Sequence, residues 1–168
     1  MNIVPDRQHA LRGWPDDVLA EANINPTTRL ATDYLNHFNE VIMLIDMLDA
    51  MPECVEDVLA WRPKSYQQHF RDSGFAARDL AIEAYSDAPA AIRDRFEDTI
   101  AEIDACIAEI QSLLMKSEKP IVPTDLDSGL HNGIARARAI INGNLLDCDA
   151  ASDSETADRV ESSFVKGT

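Results

Sequence analysis

Downstream of Ser86-Asp87-Ala88-Pro89, the residues Phe96, Ile100, Ile103, Ile107, Ile110 and Leu114 recur at alternating steps of four and three. With ~3.6 residues per turn, that rhythm gathers them on one narrow stripe of an α-helix, a spacing no strand can use. A helix with such a seam must lay it against other helices. The chain is therefore expected to be an all-α, antiparallel helical bundle.

Composition agrees with that expectation. Aromatic residues make up 6%, and there are 6 glycines and 8 prolines among 168 residues, a usage that favours helices over sheets. The length suits one domain with tails.

Punctuation along the chain places the other helices. PDDVLAEAN reads as a short helix with Pro15 near its first turn, inside an N-terminal arm of residues 1–25. Asn25 is expected to cap, and Pro26 to open, a helix running to about Ala50, where Met51-Pro52 stops it. Its apolar face holds Leu30, Tyr34, Phe38, Val41, Ile45 and Leu48. ECVEDVLAW is a further short helix, interrupted by Arg62-Pro63.

Ser65 and Gln68 form a capping-box pattern opening a helix that ends near Gly74, and residues 76–86 form another. After a linker marked by Pro120 and Pro123, Thr124 is expected to cap a last helix ending at Asn142-Gly143. On that helix Gly129 and Gly133 either weaken it or permit close packing. The bundle domain thus spans residues 26–143, with short helices connecting three long ones. Residues 144–168 are acidic and serine-rich, and are expected to be a disordered tail. A homodimer in which two seams meet is a second arrangement compatible with the pattern.

Charge narrows the partners. Fifteen Lys and Arg against 30 Asp and Glu give −15, which repels nucleic acid and anionic membranes. No apolar run reaches the roughly 20 residues of a membrane span, and the first residues lack an apolar signal core, so a cytoplasmic location is expected. Cys54, Cys106 and Cys148 stand singly, with neither disulfide nor thiolate-zinc spacing. The first two read as small core residues and the third as a tail thiol. No phosphate-binding loop, nucleophile elbow or dinucleotide fingerprint occurs, and no cofactor is expected.

The chemistry that remains lies in DYLNHFNEV, residues 33–41. His37 sits at the edge of the apolar arc, with Asp33 four residues before it and Glu40 three after. One reading makes His37 a half-buried boundary residue bonded to a neighbouring carboxylate. A second makes it a phosphoacceptor, and in gross layout, small, acidic and helical, the chain resembles histidine phosphotransfer domains. The pair Asp33 and Asn36 resembles the acid and amide with which some helical phosphatases position water on a response-regulator aspartyl phosphate. A third reading is a metal site of Asp33, His37 and Glu40 with His69 from a neighbouring helix, although the Glu-x-x-His of ferritin-like sites is missing.

The segment AWRPKSYQQHFRDSGF holds Trp61, Arg62, Tyr66, His69, Phe70 and Arg71, the most aromatic and cationic part of the chain. It reads as a contact surface for another protein, or as large side chains filling a corner between helices. His9 and His131 show no partner in the sequence. The expectation drawn from all of this is a small adaptor or regulator binding another protein through residues 61–75 and the exposed side of residues 33–40. Signalling through His37, or a metal-binding bundle, stand as alternatives.

Overall fold

The structure, a computed structural model, describes residues 13–144. His9, Cys148, the start of the arm and the acidic tail from residue 145 onward lie outside the described residues. Seven α-helices follow in order: α1 (Asp16–Glu21), α2 (Asn36–Asp46), α3 (Val55–Ala60), α4 (Tyr66–Asp72), α5 (Arg78–Ser86), α6 (Ala90–Lys116) and α7 (Thr124–Ile141). Short 3-10 turns at Thr32–Leu35 and Pro52–Cys54 lead into α2 and α3. The fold is all-α, and no helix among the described residues is long and apolar enough to cross a membrane.

The seam of α6 is buried as its spacing predicts, with Phe96, Ile103, Ile107 and Ile110 almost wholly inaccessible. Its main neighbour is α7. Cys106 donates to the Leu126 carbonyl at 3.3 Å, Glu102 pairs with Arg136, and Ile103 lies against Gly133. Contacts move up α7 as they move down α6, so the two run antiparallel. They are the long helices of the body, and the short ones pack across them.

The helix expected from Pro26 begins ten residues later, at Asn36. Asn25 caps a turn instead of a helix, its Oδ1 accepting the Thr27 and Thr28 N–H groups at 2.9 and 3.0 Å. Arg29 then adopts φ +62, which a right-handed helix cannot contain, and Ile24 and Ala31 meet in an isolated antiparallel bridge. The apolar residues expected on the first helix still reach the core, because a 3-10 turn aims Tyr34 and Leu35 inward as a helix would. At the other end, Thr124 is the first residue of α7 and Pro123 occupies the cap position.

Other punctuation is found where the sequence puts it. Ser65 Oγ accepts the Gln68 N–H at 3.2 Å, half of a capping box worth about 1 kcal/mol. Gly143 takes φ +78 and closes α7 with Asn144 N–H bonded to the Ala139 carbonyl at 2.9 Å. The described part of the arm is packed into the body. Leu19 and Ile24 belong to the core cluster, and the Arg29 guanidinium holds the Trp14 carbonyl at 2.9 Å.

Candidate functional site

The centre of the molecule is an array of rings built by the turn before α2, by α2 itself, and by α4. Tyr34 lies edge-on to Phe38, His69 and Phe96, with centroids 5.4 to 5.8 Å away, and tilts against Tyr66 at 5.3 Å. Tyr66 stacks on Tyr85 at 4.5 Å. At the other end the Trp61 indole stacks on the His37 imidazole, 4.8 Å between centroids, and donates its N–H to the His37 carbonyl at 3.1 Å. Trp61 is held from behind by Gln111, whose amide donates to the Val58 and Trp61 carbonyls and so caps α3.

Asp33 serves His69, not His37. Its Oδ2 lies 3.3 Å from His69 Nε2, while its Oδ1 accepts from Asn36 Nδ2 at 3.1 Å. The expectation was a bond from His37 to Asp33 or Glu40; the 3-10 turn at Thr32–Leu35 breaks the helical register and turns Asp33 towards α4. His37 Nε2 is left buried with no hydrogen-bond partner. Burial pushes its pKa down, opposed by the Arg62 main chain, and exposed Glu40 acts on it only through charge. Burial thus favours the neutral form of the His37 ring under Trp61.

This geometry bears on each reading of the region. A phosphoacceptor needs a nitrogen open to a partner's phosphoryl group, and His37 Nε2 is shut. Asp33 has both oxygens bonded, one to Asn36 and one to His69, so the acid and the amide bond each other. No three of Asp33, His37, Glu40 and His69 bring their ligand atoms within 4.8 Å of one another. Of the aromatic segment, Tyr66 and Phe70 are buried, and the Tyr66 hydroxyl accepts the Ala31 N–H at 2.9 Å. They fill the corner between helices, while Arg62 reaches back to the Leu59 and Trp61 carbonyls. Trp61, Arg62 and Arg71 keep part of their surface.

Ligand-type atoms of His, Asp or Glu come together elsewhere. Among the described residues, Asp46, Asp127 and His131 bring one such atom each within 4.8 Å of the others. His131 Nε2 is 3.6 Å from Asp46 Oδ2, and Nδ1 lies 2.9 Å from the Asp127 carbonyl. The Asp127 main chain and the two carboxylates raise the pKa of the imidazole. His131 therefore has partners after all. Asp127 is visible in the sequence as an i−4 carboxylate; Asp46 is not, being 85 positions away on α2.

Concavities also mark the described surface. A groove of about 500 Å³ between α2 and α3 is lined by Glu40, Met43, Leu44, Asp57, Ala60 and Trp61, and Met43 is 56% exposed on it. A second cavity, about 430 Å³, is bounded by Tyr34, Tyr66, Tyr85 and Phe96 with Glu97 and Asp104. Burial raises the Asp104 carboxyl to about 6, and its Oδ1 is sealed without a partner. The sequence signal for Asp104 was its place four residues after Ile100, ~40° beyond the edge of the α6 seam at ~100° per residue. Comparison with protein-family models, with curated proteins and with solved structures finds no match for the chain.

Proposed function

We infer that the protein is an adaptor that binds another protein, and that the α2–α3 groove receives a basic, amphipathic segment of that partner. The observation that carries this reading is Met43, more than half exposed beside Trp61 in a groove edged by the Glu40 and Asp57 carboxylates. Methionine adapts its shape to apolar partners, and a Trp floor offers the large contact area on which binding energy concentrates. The formal charge of −15 favours a cationic partner and speeds encounter with it. Glu40 and Trp61 lie in the two segments that the sequence alone singled out as contact surface; Tyr66 and Phe70 belong to the interior.

The test uses a synthetic Lys/Leu helix peptide and Trp61 fluorescence in a Trp14→Phe background. Met43→Glu discriminates the groove from general charge attraction. It adds a negative charge, so non-specific attraction would strengthen, whereas a blocked groove would bind about tenfold or more weakly. Tighter or unchanged binding by Met43→Glu refutes the proposal.

A further inference from the structure

We propose that the cavity between α4, α5 and α6 is a binding site for a small organic cation, an ammonium or guanidinium with a short apolar body, held by the Asp104 carboxylate. This cavity shares no lining residue with the α2–α3 groove. Its walls are rings whose polar ends are already committed. The Tyr34 hydroxyl donates to the Lys64 carbonyl at 2.7 Å, the Tyr66 hydroxyl takes the Ala31 N–H, and the Tyr85 hydroxyl donates to Glu97. The rings therefore offer the cavity π-electron density and apolar surface, which favour a cation over an anion.

Asp104 is a charged group of this lining that keeps an unpartnered oxygen. One oxygen is closed off from water with no donor, and no salt bridge among the described residues includes it. That sealed oxygen is out of a ligand's reach, so a group in the cavity meets the other oxygen of this half-buried carboxylate, whose charge is a cost to the fold unless something with N–H groups and positive charge meets it. Lys64 also lines the cavity, yet its ammonium pairs with Asp72 at 3.0 Å. Glu97 adds a second carboxylate at the same cavity. A volume of about 430 Å³ lies within the range of small-ligand sites and far exceeds the ~30 Å³ of one water. A cation with an apolar body satisfies both the charge and the walls.

The probes are n-butylammonium, butylguanidinium and phenethylammonium, titrated at millimolar concentrations into the full chain while amide NMR shifts are followed. At least one should give saturable shifts centred on Asp104 and its ring neighbours. The uncharged 2-phenylethanol and the anion phenylacetate should bind at least about tenfold more weakly, the usual worth of a charge-assisted hydrogen bond. Asp104→Asn should lose at least about tenfold in affinity for the cation while keeping its fold, and Asp98→Asn, an exposed change on the same helix, should lose none. Equal binding of alcohol and ammonium, an unaffected Asp104→Asn, shifts scattered without saturation over the acidic surface, or no shift with any of the three cations would each overturn the proposal.

Discussion

Two glycines on α7 permit a controlled test of how tightly the long hairpin is packed. A β-carbon built on Gly129 meets nothing within 4 Å, whereas one on Gly133 would stand 2.8 Å from Ile103 Cγ1. Both positions are helical, so Gly→Ala gives each the same propensity gain of about 1 kcal/mol. At Gly133 that gain is set against overpacking of a core isoleucine that is 1% exposed, which costs about 1 to 3 kcal/mol. Gly129→Ala should therefore be more stable than wild type by about 1 kcal/mol, and Gly133→Ala should range from neutral to about 2 kcal/mol less stable. Urea melts followed by circular dichroism measure both. In an Ile103→Ala background Cγ1 is gone, and the two changes should become equal. Equal stabilisation in the wild-type background would refute the close approach of α6 and α7 at this point.

Other expectations concern titration. Asp104→Asn should be more stable than wild type near pH 7 by about 1 to 2 kcal/mol, discounted for partial solvent access, because the folded carboxyl is raised to about 6. The folded state binds the extra proton between the ordinary carboxylate value and about 6, so the advantage should fade as pH falls through that window; an advantage constant with pH would contradict the assigned burial. His37, whose pKa is lowered, should make wild type lose stability as pH falls below its ordinary value of 6.5, and His37→Gln should lose less, read from paired melts across that range. His131 has the opposite sign: its ion pairs contribute fully below 6.5 and are lost as pH rises through its raised value. His131→Gln should then be less stable than wild type near about pH 6 and indistinguishable near about pH 8.5, and a deficit that persists at the higher pH would contradict the pairing with Asp46 and Asp127.

The helices were legible wherever local signals were sufficient. The 4-3 seam of α6 needs only its own sequence, as do the serine cap of α4 and the glycine closing α7. The start of α2 was not legible, because Asn25-Pro26 has the same chemistry as a helix cap and as an Asx turn. Arg29, with its positive φ, decides between them only in three dimensions. The polar site suffered more. Whether Asp33 meets His37 or His69 depends on one 3-10 turn, and whether His131 has a second carboxylate depends on α2 crossing α7. DYLNHFNEV lies along the edge of the core, and its histidine lies under an indole that its own segment gives no sign of.

Thr28 donates its hydroxyl to the Ile141 carbonyl at 2.6 Å, joining positions 113 apart, and Gly143 lies against the same threonine. The turn that seats the beginning of the body is therefore completed by its last helix. During synthesis the bond from Thr28 to the Ile141 carbonyl can form only once α7 has left the ribosome. The loop to be closed is long, but chain entropy grows only slowly with length, by about 0.6 kcal/mol per doubling. The delay, more than the closure itself, is the vulnerable interval. A circular permutant that joins the two ends and opens the linker at residues 117–123 would roughly halve the sequence separation across the Thr28 clasp, and should shorten that interval while leaving the ring array as it is.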